Sequence, residues 1–167
     1  MRYRIDYQHT HDIDWFGRYR CFPIHVASNG GKVPDEIEKK HNNELLSQIY
    51  AEEEFLSEEE IVVNREGIRE LLKRQYSQLQ ESTRNRDNVS HIEVTDEAID
   101  CYAVSFIKMA RRGFLSVDRF DYSHFDNTNC LVIAYPKWSK KNCQYWKKHM
   151  KLYQQFPQVN MEIIDSV

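Results

Sequence analysis

His25, Ser116 and Asp118 have the residue types of a nucleophilic site. A serine hydroxyl attacks well when an imidazole removes its proton and a carboxylate orients that imidazole. In an extended chain Ser116 and Asp118 share a face with Phe114 and Phe120, and Arg119 takes the other. The chain has no GxSxG elbow, so the same three residues equally suit a structural hydrogen-bond cluster. A glycine-rich turn, Ser28-Asn29-Gly30-Gly31, follows His25. Free backbone amides there, with Arg112 and Arg119, would hold a small anionic or nucleotide-like ligand. Neither a GxGxxG pattern nor a P-loop Lys-Ser/Thr accompanies the glycines, and no cofactor is expected.

A second cluster is His9-Thr10-His11-Asp12-Ile13-Asp14. On an extended segment His9 and His11 point the same way, so both imidazoles reach one divalent ion, with Asp12 and Asp14 as oxygen ligands. That arrangement suits a metal-dependent hydrolase. A polar turn whose aspartates cap backbone amides explains the same residues without a metal. The other histidines have no paired spacing, and no two cysteines have CxxC spacing.

Charge suggests a third chemistry. Residues 101–156 hold ten Lys or Arg against three acids, a balance of +7. The rest of the chain holds thirteen against twenty-three, a balance of -10. The acidic extreme is 52–60 and the basic one 137–151. Lys140, Lys141, Lys147, Lys148 and Lys151 are segregated from an apolar arc on a helical wheel, with Lys137 and Trp138 just ahead of them. Such a face meets phosphates or an acidic protein through salt-sensitive attraction. A protein partner is expected, and nucleic acid is the alternative through the basic helix.

These residues have to be positioned by a core that 41% hydrophobic residues can supply. A chain of 167 residues suits one domain, 1–167. Alternation predicts strands over 2–7, 12–17 and 19–27, with Gly17-Arg18 as a turn and Pro23 marking an edge strand or a bulge. Helical spacing predicts helices over 34–50, from Asn64, over 95–112 with Thr95 as its cap, and over 140–156. Ser57 and Glu60 form a capping-box pattern ahead of Ile61-Val62-Val63, which leaves 51–63 open between helix and strand. Residues 82–92 read as a loop, and 114–120, 130–135 and 159–164 as strands. The expected class is α+β: a mixed or mainly antiparallel sheet, with an N-terminal three-strand meander plus later strands, and helices packed on it.

No apolar run is long enough for a transmembrane helix, and the N-terminus lacks the apolar core of a signal peptide. With those absent, four free thiols (Cys21, Cys101, Cys130, Cys143) and a cytoplasmic location are the expectation. The first functional expectation is a binding or interaction module working through its acidic (52–60) and basic (137–151) surfaces. The alternatives are an enzyme built from the 25–31 turn and the 112–119 strand, or the metal-dependent hydrolase. Oligomeric state is not legible.

Overall fold

The computed structural model describes residues 1–82, 93–120, 124–137, 146–148 and 150–164. The elements that position the candidate site are a helix α1 (Ile5–Thr10), strands β1 (Asp14–Tyr19) and β2 (Phe22–Ala27), and helix α2 (Lys39–Ala51). A 3₁₀ turn over Glu58–Glu60 leads into β3 (Ile61–Val63) and helix α3 (Arg65–Ser82). Helix α4 (Asp96–Arg111) precedes β4 (Leu115–Arg119) and β5 (Cys130–Pro136). A 3₁₀ turn over Tyr153–Gln155 and two short strands, β6 (Gln158–Val159) and β7 (Ile163–Ile164), follow. Among the described residues the strands form one seven-stranded mixed sheet, ordered β3-β5-β4-β2-β1-β6 with β7 beside β5. The fold is α+β, as the sequence predicts. No described helix is long and apolar enough to cross a membrane.

β2 and β4 are parallel, with His25 beside Ser116 and Ala27 beside Asp118. β1–β2 and β4–β5 are antiparallel. Side-chain alternation sends Ile24, Val26, Val117 and Val132 to one face, against Tyr3, Val33 and Ile37. It sends Ala27, Leu131 and Ile133 to the other, against Ile68, Leu71, Ile99, Ala103 and Phe106 of α3 and α4. A third cluster joins Phe16 to Leu45 and Ile49 of α2, with Met109, Phe114 and Phe156.

Four expectations need correction. Residues 2–7 are not a strand: α1 begins at Ile5, and Gln8 stitches it down, donating to Tyr3 O (2.8 Å) and accepting from Val33 N (2.8 Å). Ile5 and Tyr7, the supposed buried alternation with Tyr3, are exposed. The N-terminal meander is therefore a two-strand hairpin. Its turn is Arg20-Cys21, with Arg20 at φ 55°, and not Gly17-Arg18. Gly17 serves close approach instead, since a Cβ there would stand 3.1 Å from Pro157 O and 3.3 Å from Val159. β2 is a central strand. Pro23 pairs only with Arg18 of β1, because pairing with β4 starts at Ile24, so its missing N–H interrupts no β4 bond.

The fourth correction is chemical: Cys21 is disulfide-bonded, so the chain does not hold four free thiols, although Cys101 and Cys130 are free. The Ser57 capping box forms, with Ser57 N donating to Glu60 Oε2 at 2.9 Å, and both a 3₁₀ turn and a strand follow it. The stretch 159–164 resolves into two strands on different parts of the sheet. The expected 140–156 helix is helical over 146–148 and ends in the 3₁₀ turn at Tyr153–Gln155; most of its N-terminal part, and the 82–92 loop beyond Ser82, lie outside the described residues.

Two asparagines finish the sheet's edges. Asn42 of α2 accepts from Phe16 N (3.1 Å) and donates to Asp14 O (2.9 Å), as a neighbouring strand would. Asn64 donates from its amide to Ile133 O and from its side chain to Val132 O, both at 2.9 Å, between the short partners β3 and β7. Burying backbone groups without partners costs more than the net worth of a hydrogen bond. Asn42→Leu, which keeps the bulk but removes both bonds, is expected to lower stability by about 1–3 kcal/mol. A urea unfolding curve reads this as a reduced midpoint at unchanged slope.

Candidate functional site

β1, β2 and β4 aim polar side chains at the helix-facing side of the sheet. His25 Nδ1 lies 2.7 Å from Ser116 Oγ, and Nε2 lies 2.9 Å from Asp14 Oδ1. The ring sits between Phe16 (centroids 5.5 Å) and Phe106 (6.0 Å). Because a carboxylate only accepts, Nε2 donates to Asp14. In the tautomer that carries its proton on Nε2, Nδ1 accepts from the Ser116 hydroxyl. The types and the donor order are those of an Asp-His-Ser relay, but relative to a nucleophilic triad the two ring nitrogens are exchanged and the serine, not the aspartate, is the buried end. Ser116 is 0% exposed, buried on the helix-facing side of the sheet, whereas the Asp14 side chain is 37% exposed. No substrate carbonyl reaches Ser116. The relay instead fixes Asp14 from below.

Asp14, His25, Ala27 and Asn29 line a cavity of about 340 Å³ with Asp12 and Asp118. Its other wall is helical. α4 contributes Tyr102, Ser105, Phe106 and Met109, spaced so that they share one face, while α2 adds Tyr50 and α3 adds Gln75. α4 is fixed at its start by Thr95, which accepts from Ala98 N at 3.1 Å.

Asp118 is the most constrained group in the cavity. It is 3% exposed, its Oδ2 accepts from the Tyr102 hydroxyl, and among the described residues its Oδ1 has no hydrogen-bond partner. Burial pushes its pKa well above the usual aspartate range, the Asp12 and Asp14 carboxylates push the same way, and Arg119 pulls against them. Asp12 Oδ1 accepts from Asn29 N at 2.7 Å. Partial burial still raises the Asp12 pKa, opposed by that amide. Burial and the Asp14 charge also raise the Tyr50 hydroxyl.

The sequence candidates divide accordingly. His25, Ser116, Asp118 and Asn29 do come together. Asp118, however, is not the partner of His25: Asp14 is, and Asp118 bonds Tyr102. The 28–31 turn is not an open anion cradle. Asn29 N is taken by Asp12, Gly31 N by Ser28 O (2.9 Å), and Ser28 Oγ accepts from Ile13 N (2.8 Å). Gly30, at φ 73°, and Gly31 permit close packing: a Cβ on Gly31 would lie 2.5 Å from the Arg119 side chain. Arg119 is on the opposite sheet face and donates to the carbonyls of Asn127, Asn29 and His124. Arg112 stays at the end of α4, donating to Glu52 O and Lys108 O and pairing with Glu54 at 3.4 Å. Neither arginine lines the cavity.

The metal candidates separate. α1 winds His9 and His11 out of an extended register. His9 stacks on Phe125 (3.9 Å), His11 stacks on Tyr7 (3.8 Å), and Asp12 and Asp14 turn to Asn29 and His25. Among the described residues no three His, Cys, Asp or Glu side chains are placed to share an ion.

Of the basic set, Lys147, Lys148 and Lys151 are exposed, and so is Lys137, whose amide donates to Glu60 O at 2.8 Å. Trp138, Lys140 and Lys141 lie outside the described residues. Arg111 and Arg112 both pair with Glu54. Sequence analysis named none of Tyr50, Gln75, Tyr102, Ser105, Phe106 and Met109 as site residues. The available signal was Tyr102, a hydroxyl-bearing ring within an otherwise apolar stripe. Comparison with protein-family models, curated proteins and solved structures finds no match for this chain.

An acid whose pKa is raised by folding binds its proton more tightly when folded, so stability falls as pH rises from the unfolded value, about 4, toward the folded one. Asp118→Asn removes that term. The variant is expected to fold, and its melting temperature relative to the parent is expected to improve from pH 4 toward neutrality, as measured by calorimetry across that range.

Proposed function

We propose that this protein binds a small molecule in the cavity between the carboxyl ends of β2 and β4 and the inner face of α4. The observation that carries the reading is the buried Asp118 carboxyl, which among the described residues keeps one oxygen unmatched in a cavity lined by two further carboxylates. A buried polar atom without a partner is costly, and a ligand donor there supplies the missing bond. The volume is at the lower end of the range for small-molecule sites, roughly 300–1,000 Å³. Crevices at the carboxyl ends of parallel strands are frequent ligand sites.

Catalysis at this site would run through Asp14 and His25, since Ser116 is inaccessible. The charged-surface reading is the weaker one. It draws on the exposed Lys147, Lys148 and Lys151, but Glu54 engages Arg111 and Arg112 and thereby interrupts a continuous basic face. The expected cytoplasmic location belongs with this proposal, although the Cys21 disulfide weighs against a reducing compartment.

Ser105 is exposed on α4 and lines the cavity, so Ser105→Trp should fill its mouth without disturbing the core. A thermal-shift panel of small ammonium, guanidinium, carboxylate, phosphate and neutral compounds tests the reading. At least one class is expected to raise the melting point by about 2–4 °C at saturating concentration, and Ser105→Trp to abolish the shift. Shifts that survive Ser105→Trp, or no shift from any class, would contradict it.

A further inference from the structure

We infer that the ligand this cavity takes is an organic ammonium ion, its N–H groups shared among Asp12, Asp14 and Asp118 and its carbon chain laid against Phe106 and Met109. The inference deepens the proposed function and rests on it. Asp12, Asp14 and Asp118 line the cavity, and among the described residues no lysine or arginine does. An anion entering there meets like charge from every carboxylate. A neutral ligand leaves the carboxylates uncompensated in a partly buried space. A metal ion fits poorly, because among the described residues no three potential ligands converge on one point. An ammonium group is larger and spreads its three donors over several acceptors. The free oxygen of Asp118 is one acceptor, and the 37% exposed Asp14 is a second, held in place by His25. Tyr102 and Phe106 add aromatic rings, which favour cations further, while the Tyr50 ring already carries Arg112 at 5.8 Å from its centroid, outside the lining.

Among the described residues, the charged and titratable groups around Asp118 come from both sheet and helices. Asp12 and Asp14 enter from the start of β1, His25 from β2, Tyr50 from α2 and Tyr102 from α4. Arg119 follows Asp118 in β4, and Cys130 of β5 pairs with Arg119. Burial and the Asp118 charge push the Cys130 thiol above its usual range, so Asp118 is the nearer group to titrate. Arg74 of α3 lies over Phe120, outside the lining. Arriving with its own positive charge, an ammonium ion favours the ionised form of Asp118 and displaces its proton. Binding should therefore tighten as pH rises, by up to ~10-fold per unit while Asp118 is the protonated group.

The test uses the intact protein and four probes of similar size: n-butylammonium, tetramethylammonium, n-butanol and butyrate. Binding is followed by amide chemical shifts of Ala27, Asn29, Tyr102 and Met109. n-Butylammonium is expected to bind saturably and at least about tenfold tighter than n-butanol, with butyrate weakest. Tetramethylammonium, a cation without N–H donors, should fall between n-butylammonium and n-butanol. Asp118→Asn should reduce n-butylammonium affinity about tenfold and flatten its pH dependence, leaving n-butanol unchanged. Asp12→Asn serves as a second variant, expected to weaken n-butylammonium selectively as well. If n-butanol or butyrate binds as tightly as the ammonium, and Ser105→Trp blocks it, the cavity reading stands and the ammonium inference falls. If Ca²⁺ or Zn²⁺ displaces n-butylammonium at lower concentration, the inference also falls. If no probe binds saturably, both fail.

Discussion

The parallel pairing of β2 with β4 sets His25 beside Ser116 and Ala27 beside Asp118, and the chemistry of the cavity follows from that register. A shift of one residue would exchange the faces, sending Val117 toward the helices and Asp118 into the opposite apolar layer. The register is held on both sides. β1 brings Phe16 beside His25 and Asp14 beside Ala27, and β5 completes the pairing of β4 with an irregularity between Ser116 and Val117. The central strands are thus apolar on one face and polar at the helix-facing end of the other. Helix α4 cannot close fully over that polar end, and the cavity occupies the space that remains.

Each polar group there has a different solution to desolvation. Ser116 and His25 satisfy one another and end on Asp14, which is exposed enough to stay hydrated. Asp12 accepts the Asn29 amide at the turn. Asp118 takes the Tyr102 hydroxyl, and burial, then repulsion from Asp12 and Asp14, favours its neutral form against the pull of the Arg119 backbone amide and charge. An apolar residue of similar size at 118 would avoid this cost. The retained carboxyl is understandable as a binding group, because a ligand cation supplies the hydrogen bond and the charge that the protein withholds.

Much of the frame was legible from periodicity and caps. Thr95, Asn64 and the Ser57–Glu60 box mark real element starts, and β4 and β5 lie where alternation puts them. The pairing of His25 with Ser116 was within reach of residue type alone. The partner of His25 was not, because it depends on which residues make the hairpin turn. With Gly17-Arg18 as the turn, Asp14 falls out of register with His25; with Arg20-Cys21 it falls within reach. A left-handed arginine is a poor sequence signal, and an ordinary glycine held flat by β6 is a misleading one. The helical wall was hidden for another reason: Tyr102, Phe106 and Met109 have the spacing of any core-facing stripe, and only tertiary packing leaves a cavity under part of it. The basic surfaces were legible as charge but not as geometry, since their pairing with Glu54 spans distant parts of the chain.

The most direct measurement is a carbon-13 NMR titration of the Asp118 carboxyl in the intact protein, without ligand and with saturating n-butylammonium. The carboxyl is expected to titrate well above the usual aspartate range alone and to move downward when the cation is present. A carboxyl that titrates in the ordinary range, or one that ignores the cation, would contradict it.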